Sequence, residues 1–184
     1  MKVIESEVRG VTPLLMNRFP GLGQFDEKVK IVNPNIDGVQ DAVKKLYSIN
    51  GTIYQPASHI RGTLINAGKD LRIKGKGKAT YSKTLASMVV VEPEAIPHKF
   101  KEWTVFPACT VNPSTKGRIV TYRPKFDKWE LEFRLIIDDE VPIEVVKEAL
   151  ERAGRYVGIG DWRPATKGMY GKFMVTKFDV VEPE

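Results

Sequence analysis

The chain has 184 residues, 42% hydrophobic and 28% charged, a balance typical of soluble globular chains and far from that of disordered ones. Its longest aliphatic run, residues 88–91, falls short of the roughly 20 apolar residues of a membrane helix, and no basic start with an apolar stretch marks a secretory signal. Net charge is +6 from 29 basic and 23 acidic residues, while one cysteine (Cys109) and two histidines (His59, His98) exclude an internal disulfide and a Cys/His zinc cluster.

These limits predict one domain over residues 1–184, inside the cell, with no membrane partner, metal or cofactor. Residues 3–8 alternate apolar and polar, the period-two pattern of a half-buried strand, until "TPLLMNRFPGLG" breaks it with proline and glycine. Residues 24–43 are polar and turn-rich, and a flexible insertion is expected at about 20–43. Asn50-Gly51 between short apolar stretches signals a hairpin, with strands at 46–49 and 52–55.

Ser58 is placed to cap a helix whose apolar positions Ile60, Leu64, Ala67 and Leu71 recur at three- and four-residue spacing. It should end near "RIKGKGK". "SMVVVEP" reads as a buried strand, and "WTVFPACTV" with "GRIVTYRPKF" as a strand pair joined by "NPSTKG". "KWELEFRLII" alternates through Trp129, Leu131, Phe133 and Leu135. Pro142 suits the first turn of a second helix with Ile143, Val146, Leu150 and Ala153 on one face, and "KFMVTKFDVV" closes the chain as a strand.

Strand, helix, strands, helix, strand predicts an α+β fold of the ferredoxin-like βαββαβ plan, with inserted hairpins and helices on one face of an antiparallel sheet. The other sheet face would be free to bind.

The charge is concentrated. Residues 61–83 hold Arg61, Lys69, Arg72, Lys74, Lys76, Lys78 and Lys83 against one acid, Asp70, so this segment carries +6 and the rest sums to zero. Such a cluster favours a polyanionic partner, because phosphates gain from several cations and from counterion release; the alternative is a solvated lysine-rich loop. A second basic stretch places Arg118, Tyr122, Arg123, Lys125 and Lys128 around the strand pair, rings alternating with cations as single-strand binders require.

Between the last helix and strand lies "GIGDWRPATKGMYGKF", with Trp162, Arg163, Lys167, Tyr170 and Lys172 among four glycines. Arg163 stands where a dinucleotide fingerprint needs glycine, and no Gly-Lys-Ser/Thr occurs, so nucleotide-cofactor readings fail. What remains is a loop whose backbone amides could approach an anion while its cations pair with phosphates and its rings stack on bases. Otherwise Trp162 seals the core and the glycines only make turns. His59 is a weak candidate for general acid or base, with no Ser/Asp or Cys/Asp constellation around it. Asp138, Asp139 and Glu140 precede a helix, where they complement its dipole or hold a divalent ion.

Two stretches resemble the RAMP superfamily, which includes the CRISPR effector backbone subunits. One is "GTIYQPASHIRGTLINAGK", through Ile53, Pro56, Ser58, Arg61, Gly62 and Leu64; the other is the C-terminal glycine-rich loop, through Gly158, Gly160, Gly168, Gly171 and Phe173. Similar combinations occur in phage and prophage proteins. The resemblance implies an RNA-recognition-motif-like fold and binding of single-stranded nucleic acid, often by subunits assembled side by side along the strand. The expected function is non-enzymatic binding of single-stranded DNA or RNA with self-association on it. The alternatives are a CRISPR-type ribonucleoprotein subunit, a metal-independent guide-processing endoribonuclease using His59, or an assembly protein.

Overall fold

The computed structural model describes residues 1–19, 21, 26–31 and 33–181. In chain order its elements are β1 (Lys2–Gly10), β2 (Leu14–Leu15), α1 (Val39–Val43), β3 (Ser48–Ile49), β4 (Thr52–Pro56) and α2 (Ala57–Ala67), then α3 (Ser82–Met88), β5 (Val89–Glu92) and β6 (Ala95–Pro97). The hairpin strands β7 (Thr104–Val111) and β8 (Arg118–Phe126) follow, and β9 (Glu130–Ile137), α4 (Ile143–Arg152) and β10 (Phe173–Val181) complete the order.

The main sheet runs β10-β1-β9-β5, every neighbouring pair antiparallel. Numbered by their place in βαββαβ, these strands lie in the order 4-1-3-2, with α2 and α4 as the two crossover helices, so the fold is α+β and ferredoxin-like. Alternation explains the sheet's two faces: Ile4, Ser6 and Val8 of β1 and Leu131, Phe133, Leu135 and Ile137 of β9 are buried beneath the helices. From above, Ile60 and Leu64 of α2 and Val146, Ala149 and Leu150 of α4 complete the same apolar cluster. Trp129 closes one end; its indole N–H donates to the Thr12 carbonyl at 2.9 Å, and its ring passes so close to Gly10 that a Cβ there would lie 2.2 Å from Nε1.

Several local expectations need correction. The expected first helix begins at Ala57 with Pro56 at the cap position, so Ser58 lies inside the first turn and makes no cap; extended Pro56 already sets the entry angle. That helix stops at Ala67 and tightens into a 3-10 turn, Gly68–Asp70, where Gly68 admits the close approach of Leu85 and Ser82 of α3. Leu71 is therefore buried from extended backbone. β5 is an edge strand with one wet face, Val90 being 53% exposed, and is not buried on both sides. Pro142 is the cap of α4 and precedes its first turn.

Of the insertion expected at 20–43, positions 20, 22–25 and 32 lie outside the described residues, as do 182–184. Residues 39–43 form α1, with Val39, Ala42 and Val43 buried, and Asp41 ties it to β8 by accepting the Tyr122 N–H at 2.9 Å. Among the described residues no helix is long and apolar enough to cross a membrane.

The sheet face opposite the helices is open, but its chemistry differs from a base-stacking platform. It presents Glu5, Glu7 and Arg9 from β1, Glu130, Glu132 and Arg134 from β9, and Glu92 from β5. Glu5 pairs with Lys177 at 2.7 Å, Arg9 with Glu130 at 2.6 Å, and Lys99 with both Glu7 and Glu132. Of the side chains named, five are carboxylates and four are cations and none is a ring, so this face is near charge balance, unlike the basic, ring-bearing surface expected of a single-strand binder.

Candidate functional site

A candidate surface lies on the helix side, where the glycine-rich loop crosses α2. After α4 the backbone widens into one π-helical turn, Ala153–Val157, closed by Gly158 N–H donating to the Ala153 carbonyl at 2.8 Å. Gly154 is required there, because a Cβ would lie 2.1 Å from the Phe173 carbonyl oxygen. The turn delivers residues 158–163 across the side of α2.

This loop is wound tightly and its amides are largely spent internally. Ile159 N–H donates to Gly171 O at 3.0 Å, Asp161 N–H to Leu15 O at 2.9 Å, Tyr170 N–H to Trp162 O at 3.0 Å and Gly171 N–H to Pro13 O at 2.8 Å. Gly168 N–H bonds Arg163 O at 3.0 Å. The expectation of a loop free to lay its amides on an anion therefore fails at these positions: the glycines serve close backbone crossings, and the loop forms a fixed wall.

Side chains brace the wall from the second sheet, β2-β8-β7. Arg123 donates through Nε to Asp161 Oδ2 at 2.5 Å and through Nη1 to Thr121 Oγ1 at 2.8 Å. Trp162, half-buried with φ +49°, meets Phe106 edge-on at 5.7 Å between ring centroids, and Tyr170 meets the same ring at 5.5 Å. Trp162 is thus neither core nor a free platform; it clamps the loop to β7.

Between the wall and α2 opens a cleft of about 340 Å³, bordered by Met16, Tyr47, His59, Thr63, Asn66 and Arg163. Arg163 also donates to Gly160 O at 3.1 Å. His59 Nδ1 accepts from Gln55 Nε2 at 2.5 Å, and Gln55 Oε1 accepts from His98 Nε2 at 3.2 Å. His98 is buried, stacked on Phe126 at 5.2 Å. Burial pushes His98 down to about 4, and burial, with the nearby Arg163 charge second, does the same to His59.

Both shifts make stability depend on pH with a definite sign. A histidine whose folded pKa lies below its unfolded value of about 6.5 binds fewer protons folded, so its contribution is complete above pH 6.5 and is lost as pH falls toward 4. For His98 the full loss is about 3 kcal/mol. Urea unfolding between about pH 6.5 and pH 5 should show stability falling as the pH falls, and a flat profile there would contradict the burial of both rings.

The sequence candidates distribute unevenly over this architecture. Lys69, Arg72, Lys74, Lys76, Lys78 and Lys83 are all exposed: Lys69 in the 3-10 turn after α2, Arg72 to Lys78 on a loop held by the Arg72–Thr80 bridge, and Lys83 in the first turn of α3. This basic segment begins two residues after α2 ends, and Arg72 and Lys74 border a separate hollow with Tyr81, Val145, Glu148 and Arg152. Arg61 donates to the Ala86 carbonyl and ties α2 to α3.

Arg123 corrects an expectation: only 9% of its side chain is exposed and Asp161 holds its charge, so it braces the loop and is not presented to a ligand. Tyr122 packs on Gly38, whose added Cβ would fall 2.2 Å from the ring, and Lys125 pairs with Asp127 at 3.2 Å. Arg118 is exposed near the hairpin tip, Lys167 is exposed on the loop, and Lys172 is half-buried beside β10. Sequence reasoning missed Gln55, Thr63 and Asn66; the spacing of 59, 63 and 66 along one helix face was the available signal. Among the described residues no His/Cys/Asp/Glu group is placed to hold a metal ion.

No family model matches the chain, and no curated protein matches it. Its fold is similar to that of a chain in the cryo-EM structure of the Type III-B Cmr-beta bound to cognate target RNA, with TM-score 0.59 and 13% sequence identity, covering 98% of this chain. This chain spans 61% of the length of that one. At such identity the likeness is one of fold.

Proposed function

We propose that residues 1–184 act as one domain that binds single-stranded nucleic acid, RNA or DNA, along the helix side: the cleft between α2 and the glycine-rich loop, together with the basic segment at 69–83. The carrying observation is the placement of charge. The whole net charge of the chain sits on residues 61–83, whose lysines from 69 onward are exposed, while on the opposite sheet face carboxylates and cations nearly balance. A polyanion is drawn more strongly to the basic segment than to that face. The fold likeness to a chain from a complex bound to target RNA supports RNA as the partner and a multi-subunit, CRISPR-type setting; self-association of copies along the strand is part of the proposal. The bond from Gln55 to His59 Nδ1 favours binding over cleavage by this histidine.

Fluorescence polarisation with single strands and duplex over a salt series tests the reading. Replacing Lys74, Lys76 and Lys78 together by glutamine should weaken binding uniformly across sequences and make the salt dependence shallower, by about 0.7 in log–log slope for each phosphate no longer neutralised. Wild-type binding that is absent at micromolar protein, or insensitive to salt, would sink it.

A further inference from the structure

His59, Thr63 and Asn66 stand four and three residues apart on α2 and share the face turned to the cleft. Thr63 is 3% exposed, yet its hydroxyl has no hydrogen-bond partner among the described residues. A buried hydroxyl in this state is unfavourable unless something in the cleft satisfies it. Asp161, the carboxylate bordering the cleft, is paired with Arg123, and Arg163 brings a second guanidinium to the same lining.

The proton on His59 can be located from its neighbours. Gln55 bridges the two histidines, and its amide has one donor end and one acceptor end. With Oε1 toward His98, the His98 proton sits on Nε2 and its unpartnered Nδ1 is a bare lone pair. Turning the amide over would move that proton to Nδ1, leaving a buried N–H with no acceptor, the costlier arrangement. Gln55 Nε2 therefore donates to His59 Nδ1, and the proton of the neutral His59 ring is on Nε2.

We propose that His59 is held as the neutral Nε2–H tautomer and, beside the Thr63 hydroxyl and Arg163, donates to a phosphodiester oxygen of the strand in the cleft, with Gln55 and His98 as positioning residues. The ligand named here rests on the nucleic-acid reading above; the tautomer does not. In this form the ring has no free lone pair to act as a base, and its role is recognition.

Three measurements test the proposal. Nitrogen-edited NMR of the imidazoles in the unliganded protein should show His59 neutral with its proton on Nε2 near pH 7; a proton on Nδ1, or an imidazolium, overturns the assignment whatever the protein binds. In binding assays, His59→Leu should lose about tenfold in affinity, the worth of one hydrogen bond. The loss should be equal on oligo(dT) and oligo(dA), and His59→Gln, whose amide N–H can replace the donor, should recover most of it. Unequal losses would assign the interaction to a base and overturn the phosphate, and an unchanged affinity would overturn the interaction altogether.

Gln55→Glu should convert the ring: a carboxylate accepts from Nδ1–H and leaves Nε2 as the acceptor. Oligonucleotide affinity of this variant should rise as pH falls from about 8 to about 6 and His59 takes up a proton, whereas the wild type stays flat; parallel profiles would overturn the positioning role. If Gln55→Glu does not fold, the NMR and His59 series still decide. Wild-type protein that binds no strand overturns the ligand together with the preceding section's reading, but an Nε2–H result then still stands.

Discussion

Gly171→Ala is expected to cost roughly 2 to 4 kcal/mol of stability and to displace the loop. Gly171 adopts φ +72°, and a Cβ there would lie 1.8 Å from the Ile159 carbonyl oxygen. Neither the torsion nor the clash can relax without breaking the Ile159–Gly171 bond at 3.0 Å. Gly62→Ala is the opposite case within the same cleft. Nothing lies within 4 Å of a Cβ at that position, the backbone is helical, and the exchange should stabilise by roughly 0.5 to 1 kcal/mol through helix propensity and reduced unfolded-state entropy. Chemical denaturation of the two variants checks both signs. Native-like stability of Gly171→Ala would mean that the loop keeps the freedom its glycine content suggests.

Asp161→Ala should cost about 2 to 4 kcal/mol, the lower part of the range for a broken buried ion pair, since 24% of the Asp161 side chain remains in water against 9% for Arg123. The loss comes mainly from the guanidinium left between β8 and the loop without its carboxylate. Arg123→Met in the Asp161→Ala background should recover much of it, because no uncompensated charge then stays buried. Denaturant midpoints of the two single variants and the double variant measure the coupling. If Asp161→Ala is as stable as wild type, the pair is not what fastens the loop to the second sheet.

Secondary structure was legible where one local rule governed it. β1 and β9 alternate because each has one wet and one dry face, and the apolar spacing of α4 follows its packing on the sheet. Boundaries slipped where a neighbour intervened. α2 ends at Ala67, where Gly68 admits Leu85 of α3, and no residue near Gly68 announces that approach. Charge was legible as a total and as a run, but its availability was not: Arg123 and Lys74 read alike in sequence, and only one is buried against a carboxylate.

The loop shows the same division. Its glycines, rings and cations excluded the nucleotide-cofactor motifs by spacing alone, since those motifs are fixed by short-range backbone geometry. Whether its amides faced a ligand or each other depended on Pro13, Leu15 and Phe106, residues roughly 50 to 160 positions away that no local pattern connects to it. The cleft arose in the same way, from α2 meeting a loop about a hundred residues later, and so did the proton on His59, which is set by Gln55 and by His98 from a strand region further along the chain. The amino-acid order by itself determined the α+β plan and the concentration of positive charge, because periodicity and composition are local properties. Tertiary structure alone decided which cations face water, which carboxylates and cations pair across the open sheet face and which ring nitrogen carries a proton, because each depends on interactions between distant segments.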